Sequence, residues 1–430
     1  MSLSVFIIIT VIMMAIGVPI AISLTLPGIF YLILNEIALD IVIQRVFTGM
    51  NSMTLLCIPF FILAGEIMGK GGIADRLITL AKSVVGGVRG GLAYVAVVTC
   101  AFFAAVTGSG IACCLTIGAI LIPDMMRSGY SRDFSTGVIS SASIMGPIIP
   151  PSIALVVYGT LTGASIADLY LMGIPAGLMM AVVFSIIVFF KCRSEKSGNY
   201  IVPRNEDGTI KSSVKPPFLK SLVGAIWALG APVIILGGIL GGIVTPTEAS
   251  VVAVVYSLIV SFVFYHQLKW RELPAMLLST AKQTAKIYLI IASATLFAWI
   301  ITFEGLPQMV MSFMLGLTEN KTVMLLIFNL IFLIMGMFME SSSMYVIAIP
   351  MFLPILKALQ IDLVYFGVLI PVNAAIGLIT PPFGTCLFSG VSIGKVPIHR
   401  LIKQIVPFCI AQIVLLLIMT LCPGLLTWVL

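Results

Sequence analysis

The sequence predicts an all-α polytopic membrane protein built from inverted repeats, with two re-entrant helical hairpins and two broken helices. Three observations lead there. The 430 residues are 60% hydrophobic and 9% charged, with a mean hydropathy of +1.20, whereas soluble domains carry about 25% charged residues. Nearly all basic residues fall in segments that one threading of the membrane puts on a single face. A Gly-x-Ile-x-Pro-Pro stretch occurs twice, at 146–151 and 377–382.

Apolar runs cover 4–34, 46–65, 92–123, 134–167, 169–190, 221–247, 249–268, 287–303, 322–339, 341–356, 363–394 and 404–430. One span needs about 20 residues. The first run has neither a basic flank nor a small-residue cleavage site, so it reads as a retained membrane segment and not a signal peptide. As one helix, the run 92–123 would be about 48 Å long at about 1.5 Å per residue, against a hydrocarbon core of about 30 Å. It must tilt, protrude or fold back. In "TPTEAS", 245–250, Thr245, Pro246 at the first helical position and Glu248 form a capping box that starts the helix ending near 266. The eight cysteines show no metal-ligand spacing, and all but Cys192 lie in apolar runs, where Cys packs as a small hydrophobe.

Charge chooses between the options for 92–123. With a cytoplasmic N-terminus and a hairpin there, all but Arg45, Lys321 and Lys357 of the 23 Lys and Arg fall inside. A single crossing would flip the following loops and destroy that asymmetry, so the positive-inside rule favours a re-entrant hairpin. The same threading places the 191–220 loop inside and the C-terminus outside. The net charge of +7 is then a topology signal and does not point to nucleic acid.

The second half repeats the first. At a constant offset of 231, Pro123 pairs with Pro354, Gly146 with Gly377, Ile148 with Ile379, Pro150 with Pro381, Pro151 with Pro382, Gly159 with Gly390 and Gly163 with Gly394. On the path above the two copies run in opposite directions. Such inverted repeats are an architecture of secondary transporters. The segment before each copy is a second point of likeness: 92–123 is interrupted by "TGSG" at 107–110, and 322–356 by "MESSS" at 339–343. A hairpin from each face would bring the two polar tips together near the midplane.

A proline cannot donate to the carbonyl four residues before it. Pro150 and Pro151 therefore release the carbonyls of Gly146 and Pro147, and Pro381 and Pro382 those of Gly377 and Leu378. Irregular backbone at membrane depth is tolerated where it is buried in protein or lines a cavity. Carbonyls and hydroxyls suit a hard cation such as Na+. A single Pro-Pro could be a kink satisfied by a neighbouring helix; two copies, each beside a polar tip, favour ion or substrate sites. Thr107, Ser109, Ser341, Ser342 and Ser343 supply hydroxyls, some of which could simply turn the chain or join helices. Helix N-termini at the breaks favour an anionic group. Glu340 is the sole acid of 322–356, either functional or a structural cap of the tip. Glu66 and Asn373 are weaker candidates of the same kind. Neither a nucleophile–base cluster nor a P-loop is visible, so the chain reads as no enzyme.

The stretches "IPFFILAGEIM" (58–68), "GPIIPPSI" (146–153), "GGIVTPTEAS" (241–250) and "GLITPPFG" (377–384) resemble the large membrane subunit of TRAP (tripartite ATP-independent periplasmic) transporters. The tip "TGSGIACC" differs from the family's Ser- and Ala-rich version. The resemblance implies sodium-driven uptake of an organic acid across the bacterial inner membrane by an elevator motion. It implies a periplasmic substrate-binding protein and a small membrane subunit, here a separate chain. It also implies scaffold segments at 1–75 and 221–280, and transport segments at 76–190 and 281–430. By analogy, one sodium site would comprise Ser109, Gly110, Gly146, Ile149 and Pro151, and the other Ser341, Ser342, Gly377, Thr380 and Pro382. Substrate would lie between the tips, near Thr107, Ser109, Ser152, Ser342, Ser343 and Asn373. The resemblance implies a carboxylate substrate, such as sialic acid or a C4-dicarboxylate. Two rival readings are a stand-alone sodium/anion symporter and a passive channel or scaffold subunit.

Overall fold

In the computed structural model, residues 1–193, 200 and 216–430 are described. Most of the 191–220 loop, including Lys196, Arg204, Lys211 and Lys215, lies outside them. The described chain is helical, with one isolated bridge between Tyr130 and Tyr200. Among the described residues eight helices are long and apolar enough to cross a membrane, or nine if one bent pair is a single span.

The N-terminal run is two helices and not one. Helices α1 (Leu3–Ala15) and α2 (Ile20–Leu34) are parted at Gly17, whose φ is +85°, and Pro19. Then come α3 (Asp40–Met50), α4 (Cys57–Lys70) and α5 (Ile73–Val85), the last pair bent by 65°. In α5, Ile73, Ala74, Leu77, Ile78 and Ala81 are buried at the spacing of one helical face, while Asp75, Arg76 and Lys82 take the other.

The first hairpin is α6 (Gly91–Thr107) and α7 (Gly110–Arg127), which pack on each other across a break at Gly108–Ser109. Gly108 has a φ of +60°, and a Cβ there would stand 2.5 Å from the Pro151 carbonyl oxygen, so only glycine fits. Helices α8 (Arg132–Ser143) and α9 (Ile153–Thr162) flank the first Pro-Pro, followed by α10 (Ile166–Arg193). Lys191 and Arg193 close α10 and complement its dipole.

The second half opens with α11 (Phe218–Leu240) and α12 (Pro246–Ile259), whose N-cap is Thr245 with the full capping box to Glu248. A π-helical turn (260–264) follows. The apolar run 287–303 is only the end of α13 (Leu273–Phe303), which continues through Lys282 and Lys286. Hydropathy shortened it because those lysines lie within the helix and not in a loop. The boundary drawn at 280/281 falls inside it. Phe6 and Tyr31 of the first helices pack on Phe297 and hydrogen-bond Glu304 respectively. Helix α14 (Leu306–Leu317) leads to the second hairpin, α15 (Lys321–Phe338) and α16 (Ser341–Ala358). Helices α17 (Leu363–Gly377) and α18 (Thr385–Gly394) flank the second Pro-Pro; α19 (Ile398–Leu421) and α20 (Gly424–Thr427) end the chain. Both Pro-Pro bonds are cis.

Corresponding partnerships recur in the two halves. Helix α6 packs on α8 as α15 packs on α17. Helix α7 packs on α18 as α16 packs on α9, and α8 on α19 as α17 on α10.

Candidate functional site

One cavity of about 540 Å3 receives both interrupted hairpins. The first tip contributes Thr107, Gly108, Ser109 and Gly110, and the second Glu340, Ser341 and Ser342. The Pro-Pro segments reach it through Pro147 and Leu378. The opposite wall is one face of α4, with Gly65, Glu66, Gly69 and Lys70, and one face of α13, with Ser279, Gln283 and Ile287.

Three helix N-termini end at this cavity. The first turns of α7 (Gly110, Ile111, Ala112), α9 (Ile153, Ala154) and α16 (Ser341, Ser342) all line it. Ser109 caps α7 by accepting from the Ala112 N–H at 3.4 Å, and Ser152 caps α9 by accepting from the Leu155 N–H at 3.3 Å. Glu340 occupies the N-cap of α16 without a side-chain cap bond. Its carboxylate is accessible within the cavity it lines, and Lys286 lies within electrostatic range.

Of the residues named for the first ion site, Ser109, Gly110 and Gly146 adjoin one another. A Cβ on Gly146 would lie 2.6 Å from the Gly110 nitrogen, and Pro151 touches Gly108. The Ile149 side chain instead packs toward Gly177. Of the second set, Ser341 and Ser342 line the cavity. Gly377 packs on the backbone of Gly336, Thr380 donates its hydroxyl to the Ile376 carbonyl, and Pro382 is exposed. Ser343 is buried with no partner for its hydroxyl among the described residues. Asn373 is buried on α17, where its amide donates to the Asn329 carbonyl at 2.7 Å and its Oδ1 has no partner among the described residues. Neither lines the cavity.

The backbone at the breaks corrects one expectation. Helix α8 stops at Ser143, before Gly146, so the prolines do not strip a continuous helical ladder. The Pro147 carbonyl accepts from Ser152 Oγ. The Gly377 carbonyl accepts from the Thr380 N–H at 3.1 Å, and that of Leu378 from the Cys386 N–H at 2.9 Å. The Leu378 carbonyl also accepts from the Leu387 N–H at 3.3 Å, which uses both its lone pairs, whereas the carbonyls of Pro147 and Gly377 keep capacity for a further partner. Sequence reasoning missed Lys70, Ser279 and Gln283. Their signal was a polar pair at i, i+4 in each of two apolar helices: Glu66 with Lys70, and Ser279 with Gln283.

Such an arrangement defines a polytopic membrane transport protein: interrupted helices around a chamber that brings polar groups together inside an apolar helical body. The family model of the tripartite ATP-independent periplasmic transporter, DctM component, matches residues 7–425, and the chain belongs to that family. It is 38% identical over 380 residues to the C4-dicarboxylate TRAP transporter large permease protein DctM of Pseudomonas aeruginosa, covering 88% of this chain and 87% of that one. It is 34% identical over 408 residues to the sialic acid TRAP transporter large permease protein SiaM of Vibrio cholerae, covering 95% and 93%. With the isethionate TRAP transporter permease protein DctMQ of Oleidesulfovibrio alaskensis it shares 37% identity over 412 residues, covering 96% of this chain and 64% of that one. These relatives are permeases and not enzymes. The fold matches that of the Alcanivorax borkumensis YdaH transporter with a TM-score of 0.65 at 14% identity, covering 89% of this chain and 87% of that one. The protein is a multi-pass inner-membrane permease.

Proposed function

We propose that this chain is the large permease of a sodium-coupled importer of an organic anion, such as sialic acid or a C4-dicarboxylate-like carboxylate. The carrying observation is the single chamber onto which both hairpin tips and three helix N-termini open. Helix N-termini present unpaired N–H groups and partial positive charge, which bind carboxylates. Hydroxyls and carbonyls beside them are the oxygen ligands a hard cation takes. Sodium would be held by the first tip with Gly146, Ile149 and Pro151, and by the second with Gly377, Thr380 and Pro382.

The matched helix partnerships of the two halves support inverted repeats and re-entrant hairpins. The chamber lies between the hairpin tips and a wall made by α4 and α13, and the same two helices pack on α6 and α16. A transport body carrying the hairpins past that wall would move the chamber's contents across the membrane, as an elevator. The basic residues favour a cytoplasmic N-terminus and a periplasmic C-terminus. A tripartite system implies two further components, here a small membrane subunit on its own chain and a periplasmic substrate-binding protein.

Proteoliposomes holding all three components test this reading. Uptake is lost when sodium is replaced by choline; uptake that persists rejects the coupling. Uptake by this chain alone would favour a stand-alone symporter. Flux indifferent to Ser341→Ala with Thr380→Ala would favour a passive channel.

A further inference from the structure

The wall opposite the tips carries an acceptor with spare capacity. Ser279 Oγ and Gln283 Nε2 both donate to Oε1 of Glu66, the second at 2.9 Å, and Gln283 Nε2 also reaches Ser279 Oγ at 3.3 Å. The carboxylate is thus clamped from α13 through one oxygen. Among the described residues nothing donates to Oε2. An ionised carboxylate offers about four acceptor sites, so Glu66 faces the chamber's contents with acceptor capacity unused.

Charge sharpens the point. The acidic and basic side chains on the lining are Glu66, Glu340 and Lys70, with Lys286 within electrostatic range of Glu340. Two acids offset two lysines. A dianion with one carboxylate at the helix N-termini would press its second toward Glu66. A monoanion whose body carries a hydroxyl or amino group would instead supply the hydrogen that Oε2 lacks. A site built to bond such a group rejects analogues lacking it far more strongly than an apolar pocket rejects a missing methylene.

We infer that Glu66, held by Ser279 and Gln283, is a specificity-determining acceptor that selects a monoanionic, donor-bearing acid over a donor-free dicarboxylate. This rests on the chamber being the substrate's compartment. The test is ligand binding to the purified permease with its small subunit in sodium buffer, followed by thermal shift. The probes are sialic acid and isethionate, hydroxylated monoanions, and succinate, a donor-free dicarboxylate.

At least one monoanion binds at least about tenfold more tightly than succinate. Glu66→Gln weakens that monoanion about ten- to a hundredfold, the range of a hydrogen bond to a charged group, and tightens succinate, whose second carboxylate it no longer repels, while Glu66→Asp keeps part of the monoanion affinity. Ser279→Ala, which spares the carboxylate, weakens the monoanion severalfold and reads the same clamp should Glu66→Gln not fold. Tighter binding of succinate than of both monoanions by the wild type, binding of neither monoanion, or a monoanion Kd within twofold of wild type in both Glu66→Gln and Ser279→Ala overturns the inference. If Ser109→Ala and Ser342→Ala weaken the monoanion while the Glu66 variants do not, only this inference fails. If none of these variants matters, the chamber assignment fails with it.

Discussion

Gly146→Ala is the sharpest perturbation of the first proposed ion site. A Cβ at Gly146 would sit 2.6 Å from the Gly110 nitrogen and 2.6 Å from the Ser109 carbonyl carbon. Both are backbone atoms, so no rotamer change relieves the clash. Ordinary contact begins at 3.4 Å, so the tip must withdraw by about 0.8 Å. Overpacking of this kind costs about 1–3 kcal/mol. If that cost falls on the ion-bound form, where tip and break must close together, the sodium half-saturation rises about five- to a hundredfold. The assay is sodium-dependent uptake of a radiolabelled organic anion by proteoliposomes of the three-component system, with the variant's melting temperature as a folding control. Gly237→Ala, in α11 with nothing within 4 Å of the added methyl, leaves the sodium dependence unchanged. A folded Gly146→Ala with wild-type sodium half-saturation refutes the claim that this junction holds the ion.

Three further outcomes follow from the same geometry. Thr245→Ala removes the cap of α12 and costs about 1 kcal/mol, seen as a melting temperature lower by a few degrees with uptake KM unchanged. Ser152→Ala removes both the donor to the Pro147 carbonyl and the acceptor for the Leu155 N–H. Loss of a buried partner costs about 1–3 kcal/mol, and unfolding in denaturant registers it, with Ser152→Thr retaining more stability than Ser152→Ala. Lys82 and Asp124 pair at 2.7 Å with about a third of each side chain exposed. A double-mutant cycle with Lys82→Ala and Asp124→Ala yields a coupling of no more than about 1 kcal/mol, because the pair is solvent-screened.

Composition and repetition made much of the fold legible. The hairpin breaks fall inside "TGSG" and at Met339–Glu340, where polar and small residues interrupt apolar runs, and Thr245 caps α12 where its box predicted. Hydropathy failed where helices carry charge. Lys282 and Lys286 hid the first part of α13, and Gly17 with Pro19 split a run that showed no polar break. The chamber was legible through its tips but not through its far wall. Glu66 meets Ser279 and Gln283 only because α4 packs on α13, contacts separated by more than 200 residues of chain. Ser152 was named only by analogy, as a residue near the substrate, and no periodicity shows that it turns back onto the Pro147 carbonyl.

The central claim is that sodium and an organic anion move through this chamber together. Parallel measurement of 22Na+ and labelled-anion entry into proteoliposomes tests it directly. The account predicts sodium entry that depends on the anion and keeps a fixed ratio to it, with both fluxes falling together in Gly146→Ala. Anion accumulation without accompanying sodium entry would contradict it.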